Sequence, residues 1–177
     1  MAVSDECFCF VGDSVRQYED LYYGLLDFVA SEGPFDGLIG FSEGGAVAAW
    51  MLLENSRYPS RFGSFKCAIF FSAAVPFDPD VVRSGEMKAV DLVSAGEPIR
   101  IPTAHIWSNE NDVNEERARA LTRLCDADLR ETFVHSLGHH VPGSKSDESL
   151  FGTIRVIEHA IERVGWSRSG LLYVYIL

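Results

Sequence analysis

The sequence predicts an α/β protein in which a parallel sheet is covered by helices on both faces. Short apolar runs alternate along the chain with longer amphipathic stretches, which is typical of a doubly wound sheet. The apolar runs are continuous rather than alternating, as expected where helices bury both sides of a strand. Neither a repeat nor a low-complexity block interrupts the pattern. We therefore expect the 177 residues to form a single domain, 1–177.

Element boundaries follow from apolar spacing and from glycine, proline and serine at the ends of each run. Strands are expected around Leu38 and Ile39 and over residues 66–72, 102–108 and 129–135. Helices are expected over residues 15–31, from 46 to about 55–59, and over 115–126 and 148–164. Residues 73–100 carry several prolines and glycines, which predicts a connection above the sheet or a small lid.

Two apolar stretches fit this alternation less simply. Residues 7–11 are either a strand or an extended lead-in. The β-prone tail, within residues 166–177, is either an added edge strand or a hydrophobic extension. The sequence leaves both alternatives open.

Charge and cysteine content narrow the function classes. A net charge of −11 and a pI near 4.8 disfavour nucleic acid and anionic membranes as partners, because both would repel the chain. Cys7 and Cys9 lack the second pair that a metal site would need, and Cys67 and Cys125 lie in apolar patterns typical of buried residues. The acidic start lacks the features of a signal peptide, and no apolar run approaches the roughly 20 residues of a membrane span. We expect a cytoplasmic protein without metal or cofactor.

A serine flanked by glycines lies between a predicted strand and a predicted helix. Residues 40–44 read G-F-S-E-G, and G-x-S-x-G in this context is the nucleophile elbow of the α/β-hydrolases. The serine there sits on a strained turn, and a Cβ at the flanking positions would collide with the neighbouring elements. The motif predicts Ser42 as a nucleophile and the backbone N–H of Glu43 as an oxyanion donor. The alternative is a glycine-rich turn with an incidental serine.

Candidate partners of Ser42 follow it in the order expected of this fold. A serine hydroxyl is a weak nucleophile that needs an oriented histidine, and in α/β-hydrolases an acid and then a histidine follow on loops after strands. Here Glu110 and Asp112 follow one predicted strand, and His139 and His140 follow another. Residue types, order and loop placement together predict a Ser–acid–His triad.

The other histidines are expected to be structural. His105 lies inside a predicted strand, where a packed or hydrogen-bonded core residue is expected. His135 ends a strand, and His159 lies on the last helix, where solvent is expected to surround it.

Residues 33–44, 101–107 and 138–142 resemble the corresponding segments of the FSH-type (family of serine hydrolases) α/β-hydrolases, whose fungal members include thioesterases and hydrolases of polyketide gene clusters. The resemblance implies an α/β-hydrolase-like parallel sheet with helices on both faces. The family ends in a Gly-Gly-His-x-Val-Pro type motif, which implies that His139 rather than His140 is the base.

This sequence departs from the family pattern in two ways. The register of the family acid falls on Asn111, with Asp112 one residue later. An asparagine does not stabilise imidazolium charge as a carboxylate does, so Asp112 is expected to be the acid and Glu110 ranks last. The N-terminal strand and oxyanion loop of the family have no counterpart before the elbow, so the fold is expected to be N-terminally shortened. Losing one oxyanion donor typically costs on the order of 10²–10³ in rate.

The expected function is hydrolysis of an ester or thioester of a hydrophobic acyl substrate. Phe and Val in residues 70–77, near the expected pocket mouth, favour an apolar acyl group. The resemblance implies a fungal polyketide pathway and a substrate that is free or carried by a polyketide synthase. Two alternatives stay open: a catalytically impaired remnant that binds a ligand or partner, and a carboxylesterase of general metabolism.

Overall fold

The computed structural model describes residues 14–96, 98–144, 146–165 and 173–177, and the apolar run 7–11 lies outside this part of the chain. Its sheet has five parallel strands in the order β4-β3-β2-β1-β5. The strands are β1 (Gly37–Phe41), β2 (Cys67–Phe71), β3 (Thr103–Ser108), β4 (Arg130–His135) and β5 (Val174–Ile176). The first four coincide with the predicted strands.

Helices connect the strands and cover both faces of the sheet. They are α1 (Val15–Glu32), α2 (Glu43–Arg57), α3 (Pro79–Arg83), α4 (Leu92–Ala95), α5 (Glu115–Leu121) and α6 (Asp147–Glu162), with a 3-10 turn at Thr122–Leu124. The Ser14 hydroxyl caps α1 by accepting a hydrogen bond from the N–H of Gln17. The helix α2 begins at Glu43, whereas the apolar pattern predicted a start at residue 46. The pattern could not register the first turn, because Gly44 and Gly45 carry no side chain.

The register of the sheet brings the carboxyl ends of neighbouring strands together. Phe41 pairs with Phe71 at the end of β1 and β2, and Ser108 pairs with His135 at the end of β3 and β4. Parallel strands that end in register place their following loops at one edge, which is where open α/β sheets carry their sites.

The core has one part on each side of the sheet. On one side, α1 and α2 bury a cluster that includes Trp50, whose ring meets the edge of Tyr18 with centroids 4.8 Å apart. On the other side, Val156 and Ala160 of α6 pack on Ile69. Each large apolar side chain buried in this way contributes about 1.5–3 kcal/mol to folding. Helices therefore bury both faces of the sheet, as the continuous apolar runs predicted.

The end of the chain forms the edge strand β5, the first of the two alternatives for the tail. The N–H of Leu177 donates to the carbonyl of Ile39 over 2.7 Å, and the N–H of Phe41 donates to the carbonyl of Leu177 over 3.3 Å. The ring of Tyr175 stacks on Phe28 and Phe35. Backbone pairing and aromatic packing thus hold β5 beside the elbow strand.

The connection over residues 73–100 is attached to α2 by ion pairs. Arg57 binds Asp78 over 2.9 Å, and Arg83 binds the fully buried carboxylate of Glu54. Asp78 also caps α3 by accepting from the N–H of Asp80. None of the helices in the described ranges is both long enough and apolar enough to cross a bilayer.

Candidate active site

Ser42 lies between β1 and α2 in a backbone conformation that non-glycine residues rarely adopt. Its φ is 55° and its ψ is −116°. Such a conformation costs about 1–3 kcal/mol and persists only where surrounding contacts enforce it. Here the N–H of Ser42 donates to the carbonyl of Phe71 over 2.8 Å, and the carbonyl of Ser42 accepts from Ala46 at the start of α2. The elbow is therefore held by β2 on one side and by the helix on the other.

The glycines of the elbow are required by close packing. A Cβ on Gly40 would lie 2.5 Å from the Cα of Gly45. A Cβ on Gly44 would overlap the backbone of Leu177, and a Cβ on Gly45 would overlap the side chain of Ala73. Since β5 and the β2–α3 connection both touch this turn, three glycines fit where larger residues would force the elements apart.

The structure brings Ser42, His139 and Asp112 into one hydrogen-bonded chain. The Nε2 atom of His139 lies 3.0 Å from the Oγ of Ser42, and its Nδ1 lies 2.8 Å from Oδ1 of Asp112. Asp112 follows β3 and His139 follows β4, so the register of the strands positions both loops over the elbow. The ring of Phe41 packs against the imidazole with centroids 4.9 Å apart.

Asp112 accepts hydrogen bonds on both carboxylate oxygens. The hydroxyl of Ser72 donates to Oδ2 over 2.6 Å, and the backbone N–H of Asn114 donates to Oδ1 over 2.9 Å. Burial by itself would raise the pKa of Asp112, but the donors, led by Ser72, outweigh it and hold the pKa below its ordinary value. The side chain of Asp112 has no exposed surface. It is a buried carboxylate kept ionised beside an imidazole.

The other candidates for the acid and the base lie at the surface. Glu110, Asn111 and His140 are exposed. Asn111 has a φ of 52°, and this left-handed turn directs the next side chain, Asp112, inward. The carboxylate that contacts His139 thus belongs to Asp112, one residue after the position that the family pattern indicated.

His105 is a core residue, as predicted. It is 1% exposed, its ring stacks on Phe70, and its Nε2 lies 3.1 Å from the hydroxyl oxygen of Thr103. Burial lowers the pKa of His105 to about 3, so this side chain is neutral in the folded protein. His159 is exposed on α6, and Cys67 and Cys125 are buried.

Two polar residues of the site could not be predicted from the sequence. The carboxamide of Asn114 donates to the Oγ of Ser42 over 3.3 Å and to the carbonyl of Ser72 over 3.1 Å. Ser72, at the end of β2, supplies the shortest hydrogen bond to Asp112. Neither residue belongs to a local motif, because their partners lie 72 and 40 residues away in the chain.

A cavity of about 350 Å³ opens beside the candidate nucleophile. Ser42, Glu43 and Asn114 line its polar side, and Tyr18, Val75 and Phe77 line its apolar side. The prediction that residues 70–77 shape the pocket holds only for the second half of that stretch. Phe70 and Phe71 belong to β2 and are buried in the two halves of the core.

Other features of the described residues do not compete with this site. A larger cavity of about 560 Å³, between the end of α2 and residues 98–101, contains none of the candidate catalytic side chains. Within the described ranges, His, Cys, Asp and Glu form no group of three or more that could hold a metal ion.

A parallel sheet with a strained serine elbow, followed in order by an acid loop and a histidine loop, defines the class of α/β-hydrolases. The family model described as "Serine hydrolase (FSH1)" matches residues 4–150, and the chain belongs to this family.

Relatives of this chain include fungal proteins named as esterases and hydrolases. Esterase FPY3 of Fusarium mangiferae is 36% identical over 67% of this chain and 53% of the relative. Hydrolase FUB4 of Gibberella moniliformis is 42% identical over 49% of this chain and 34% of the relative. "Family of serine hydrolases 2" of Saccharomyces cerevisiae is 28% identical over 68% and 52% of the two chains. The matches thus span about a third to a half of the length of these relatives.

A solved structure also shares the fold. It comes from work on LipS and LipT, two metagenome-derived lipolytic enzymes, and matches with a TM-score of 0.52 at 12% identity. The match covers 85% of this chain and 74% of that chain. At this identity the likeness shows the α/β-hydrolase fold alone.

Proposed function

We propose that this chain is a serine hydrolase that cleaves an ester or thioester of a hydrophobic acyl substrate. One observation carries the proposal: Ser42, on its strained elbow, hydrogen-bonds to His139, which hydrogen-bonds to a buried Asp112. Family membership supports it independently. In this proposal Ser42 is the nucleophile, His139 the general base and Asp112 the residue that orients the imidazole.

The geometry suits acyl transfer in two stages. The Oγ of Ser42 attacks the acyl carbon while its proton passes to Nε2 of His139, and the carbonyl oxygen becomes an oxyanion. The first N–H of α2, on Glu43, lies at the positive end of the helix dipole and stabilises that charge. The imidazolium then protonates the departing alcohol or thiol. Water, deprotonated by the same imidazole, attacks the acyl-enzyme, and the proton returns to Ser42 as the acid is released.

Asp112 serves the imidazole in both stages. It accepts from Nδ1 of His139, so Nε2 faces Ser42 as an acceptor. Once the imidazole is protonated, the ionised carboxylate stabilises its charge. The donors that lower the pKa of Asp112 keep it in the ionised form that this role needs.

The cavity supports an apolar acyl group of modest size. Tyr18, Val75 and Phe77 supply apolar surface within reach of Ser42. The relatives named as esterases and hydrolases are fungal, and the family resemblance of the sequence implies a role in fungal secondary metabolism. The acyl group in such a pathway would be a polyketide chain, either free or carried by a polyketide synthase. We further propose a cytoplasmic location, as expected from the sequence.

Labelling with a fluorophosphonate probe tests the proposal directly. Wild-type protein should be labelled covalently, and Ser42→Ala and His139→Ala should not. Hydrolysis of p-nitrophenyl esters and acyl-N-acetylcysteamine thioesters of increasing chain length then defines the acyl group. Folded wild-type protein that resists labelling would contradict the enzyme assignment and leave a ligand-binding protein of the same fold.

A further inference from the structure

Asn114 lies where the acid loop meets the nucleophile. It follows Asp112 by two residues, and its backbone N–H donates to Oδ1 of that acid over 2.9 Å. The residue is 8% exposed, and its carboxamide contacts Ser42 and Ser72. One short turn therefore holds the acid of the proposed triad and a carboxamide that reaches Ser42.

The orientation of this carboxamide follows from its two contacts. One contact is to the backbone carbonyl of Ser72 over 3.1 Å, and a carbonyl oxygen only accepts hydrogen bonds. The Nδ2 atom must therefore face Ser72, because the opposite orientation would set two acceptor oxygens against each other. The second hydrogen of Nδ2 is then directed to the Oγ of Ser42, 3.3 Å away.

The Oγ atom of Ser42 thus has a defined donor and a defined acceptor. It donates to Nε2 of His139 and accepts from Nδ2 of Asn114. During attack, Nε2 of His139 takes the proton from Oγ. The hydrogen bond from Nδ2 of Asn114 stays on the oxygen and stabilises the negative charge that develops there.

We infer that Asn114 is a further catalytic residue, whose carboxamide holds Ser42 Oγ in its attacking position and stabilises the charge on that oxygen during acyl transfer. The inference rests on the proposed function. When the proton leaves Oγ, the neutral hydrogen bond from Nδ2 becomes a shorter and stronger charge-assisted one. The same bond strengthens when Oγ departs from the acyl carbon as the acyl-enzyme is hydrolysed. An interaction that strengthens in the transition state lowers the barrier and raises kcat.

The protein offers a matched control for a purely structural asparagine. Asn55 on α2 also makes two hydrogen bonds to the backbone: it donates to the carbonyl of Gly63 over 2.9 Å and accepts from the N–H of Phe62 over 2.8 Å. It does not line the cavity of Ser42. Asn55→Ala therefore reports what the loss of two such bonds does to the protein when the reacting oxygen is not involved.

The experiment compares three variants with the wild type. Asn114→Ala removes the carboxamide, Asn114→Asp replaces it with a carboxylate of the same size, and Asn55→Ala is the control. The readouts are the rate constant of inactivation by a fluorophosphonate, kcat and KM for a short p-nitrophenyl ester, and the thermal unfolding midpoint. We expect Asn114→Ala to reduce inactivation and kcat about tenfold or more, with KM within about twofold. Asn114→Asp should lose more, because a carboxylate would repel the charge on Oγ. Asn55→Ala should lower the unfolding midpoint and leave the inactivation rate unchanged.

The results separate this inference from the proposed function. Wild-type labelling that is lost in Ser42→Ala, combined with Asn114 variants that react at the wild-type rate, would overturn the role of Asn114 and leave the hydrolase standing. Equal losses of rate in Asn55→Ala and Asn114→Ala would also overturn it, since the effect would then be structural. An unreactive wild type would overturn both.

Discussion

The backbone of Leu177 occupies the space where a side chain at Gly44 would begin. This contact joins the end of the chain to the first turn of α2, one residue beyond Glu43 and two beyond Ser42. The strand β5 therefore constrains the elbow as well as extending the sheet.

A methyl group at residue 44 should disturb both sides of this contact. We expect Gly44→Ala to lower the unfolding midpoint by several degrees, because overpacking typically costs about 1–3 kcal/mol. Fluorophosphonate labelling should fall as well, since the elbow must shift. Gly24→Ala is the matched control: a Cβ there meets no atom within 4 Å, and α1 should gain about 0.5–1 kcal/mol. Equal behaviour of the two variants would show that Leu177 does not constrain the elbow.

The two adjacent histidines should behave differently. His139→Ala removes the proposed base and should reduce kcat by on the order of 10³-fold or more, with little change in KM. His140 is exposed, so His140→Ala should keep near wild-type activity. Steady-state kinetics on one ester, measured for both variants, decides the assignment. A larger loss in His140→Ala would reverse it.

The assignment of Asp112 as the acid of the triad can be tested by a substitution that removes only its negative charge. Asp112→Asn should reduce kcat by about 10²–10⁴-fold, because an amide cannot stabilise the imidazolium and alters the hydrogen bond to Nδ1. Glu110→Gln makes the same change on an exposed side chain of the same turn and should be close to neutral. Both proteins should be compared by steady-state kinetics on the same ester at the same pH. Full activity in Asp112→Asn would exclude Asp112 as the acid.

Stability should depend on pH through the ion pair between Arg57 and Asp78. Hydrogen bonding to Arg57 lowers the pKa of Asp78 to about 2. A carboxyl group whose pKa is lower in the folded state stabilises the protein above its unfolded value, near 4, and loses that contribution as the pH falls towards 2. Asp78→Asn keeps the capping oxygen of α3 and should cost about 1–2 kcal/mol at pH 7.

Urea unfolding across the pH range measures this contribution. The difference between wild type and Asp78→Asn should be constant from pH 7 to pH 5 and should shrink between pH 4 and pH 2. Asp80→Asn removes a more exposed partner of the same arginine and should have a smaller effect. A constant difference down to pH 2 would contradict the role of the Asp78 charge.

The cavity beside Ser42 should limit the length of the acyl chain that the protein accepts, and Val75 lines that cavity. Val75→Phe adds bulk to the apolar side of the cavity beside Ser42 and should reduce kcat/KM for long acyl esters about tenfold or more. Acetyl and butyryl esters should be affected much less. Val93 is 93% exposed, so Val93→Phe is the control and should leave the chain-length profile unchanged. An unchanged profile in Val75→Phe would place the acyl group elsewhere.

Sequence reasoning located the elements that depend on local signals. The apolar runs predicted β1 to β4, because strands buried on both faces need continuous apolar side chains. The G-x-S-x-G turn identified Ser42, since few residues other than glycine tolerate such close packing around a strained turn. The order of serine, acid and histidine restricted the remaining candidates to two short loops.

Adjacent residues in those loops could be separated only by backbone geometry. Asn111 and Asp112 differ by one position, and the left-handed turn at Asn111 decides which side chain faces His139. The start of α2 was predicted at residue 46, three residues late. Two of the three missed residues, Gly44 and Gly45, are glycines, and a helical pattern of apolar side chains cannot be recognised where there are no side chains.

The sequence by itself determined the fold class, the elbow and the two loops that face it, because each depends on residues that are neighbours in the chain. The tertiary structure decided that Ser72 supports Asp112, that Asn114 reaches Ser42 and that β5 lies against Gly44. These contacts join residues far apart in sequence, and only the parallel register of the strands brings them to one edge of the sheet.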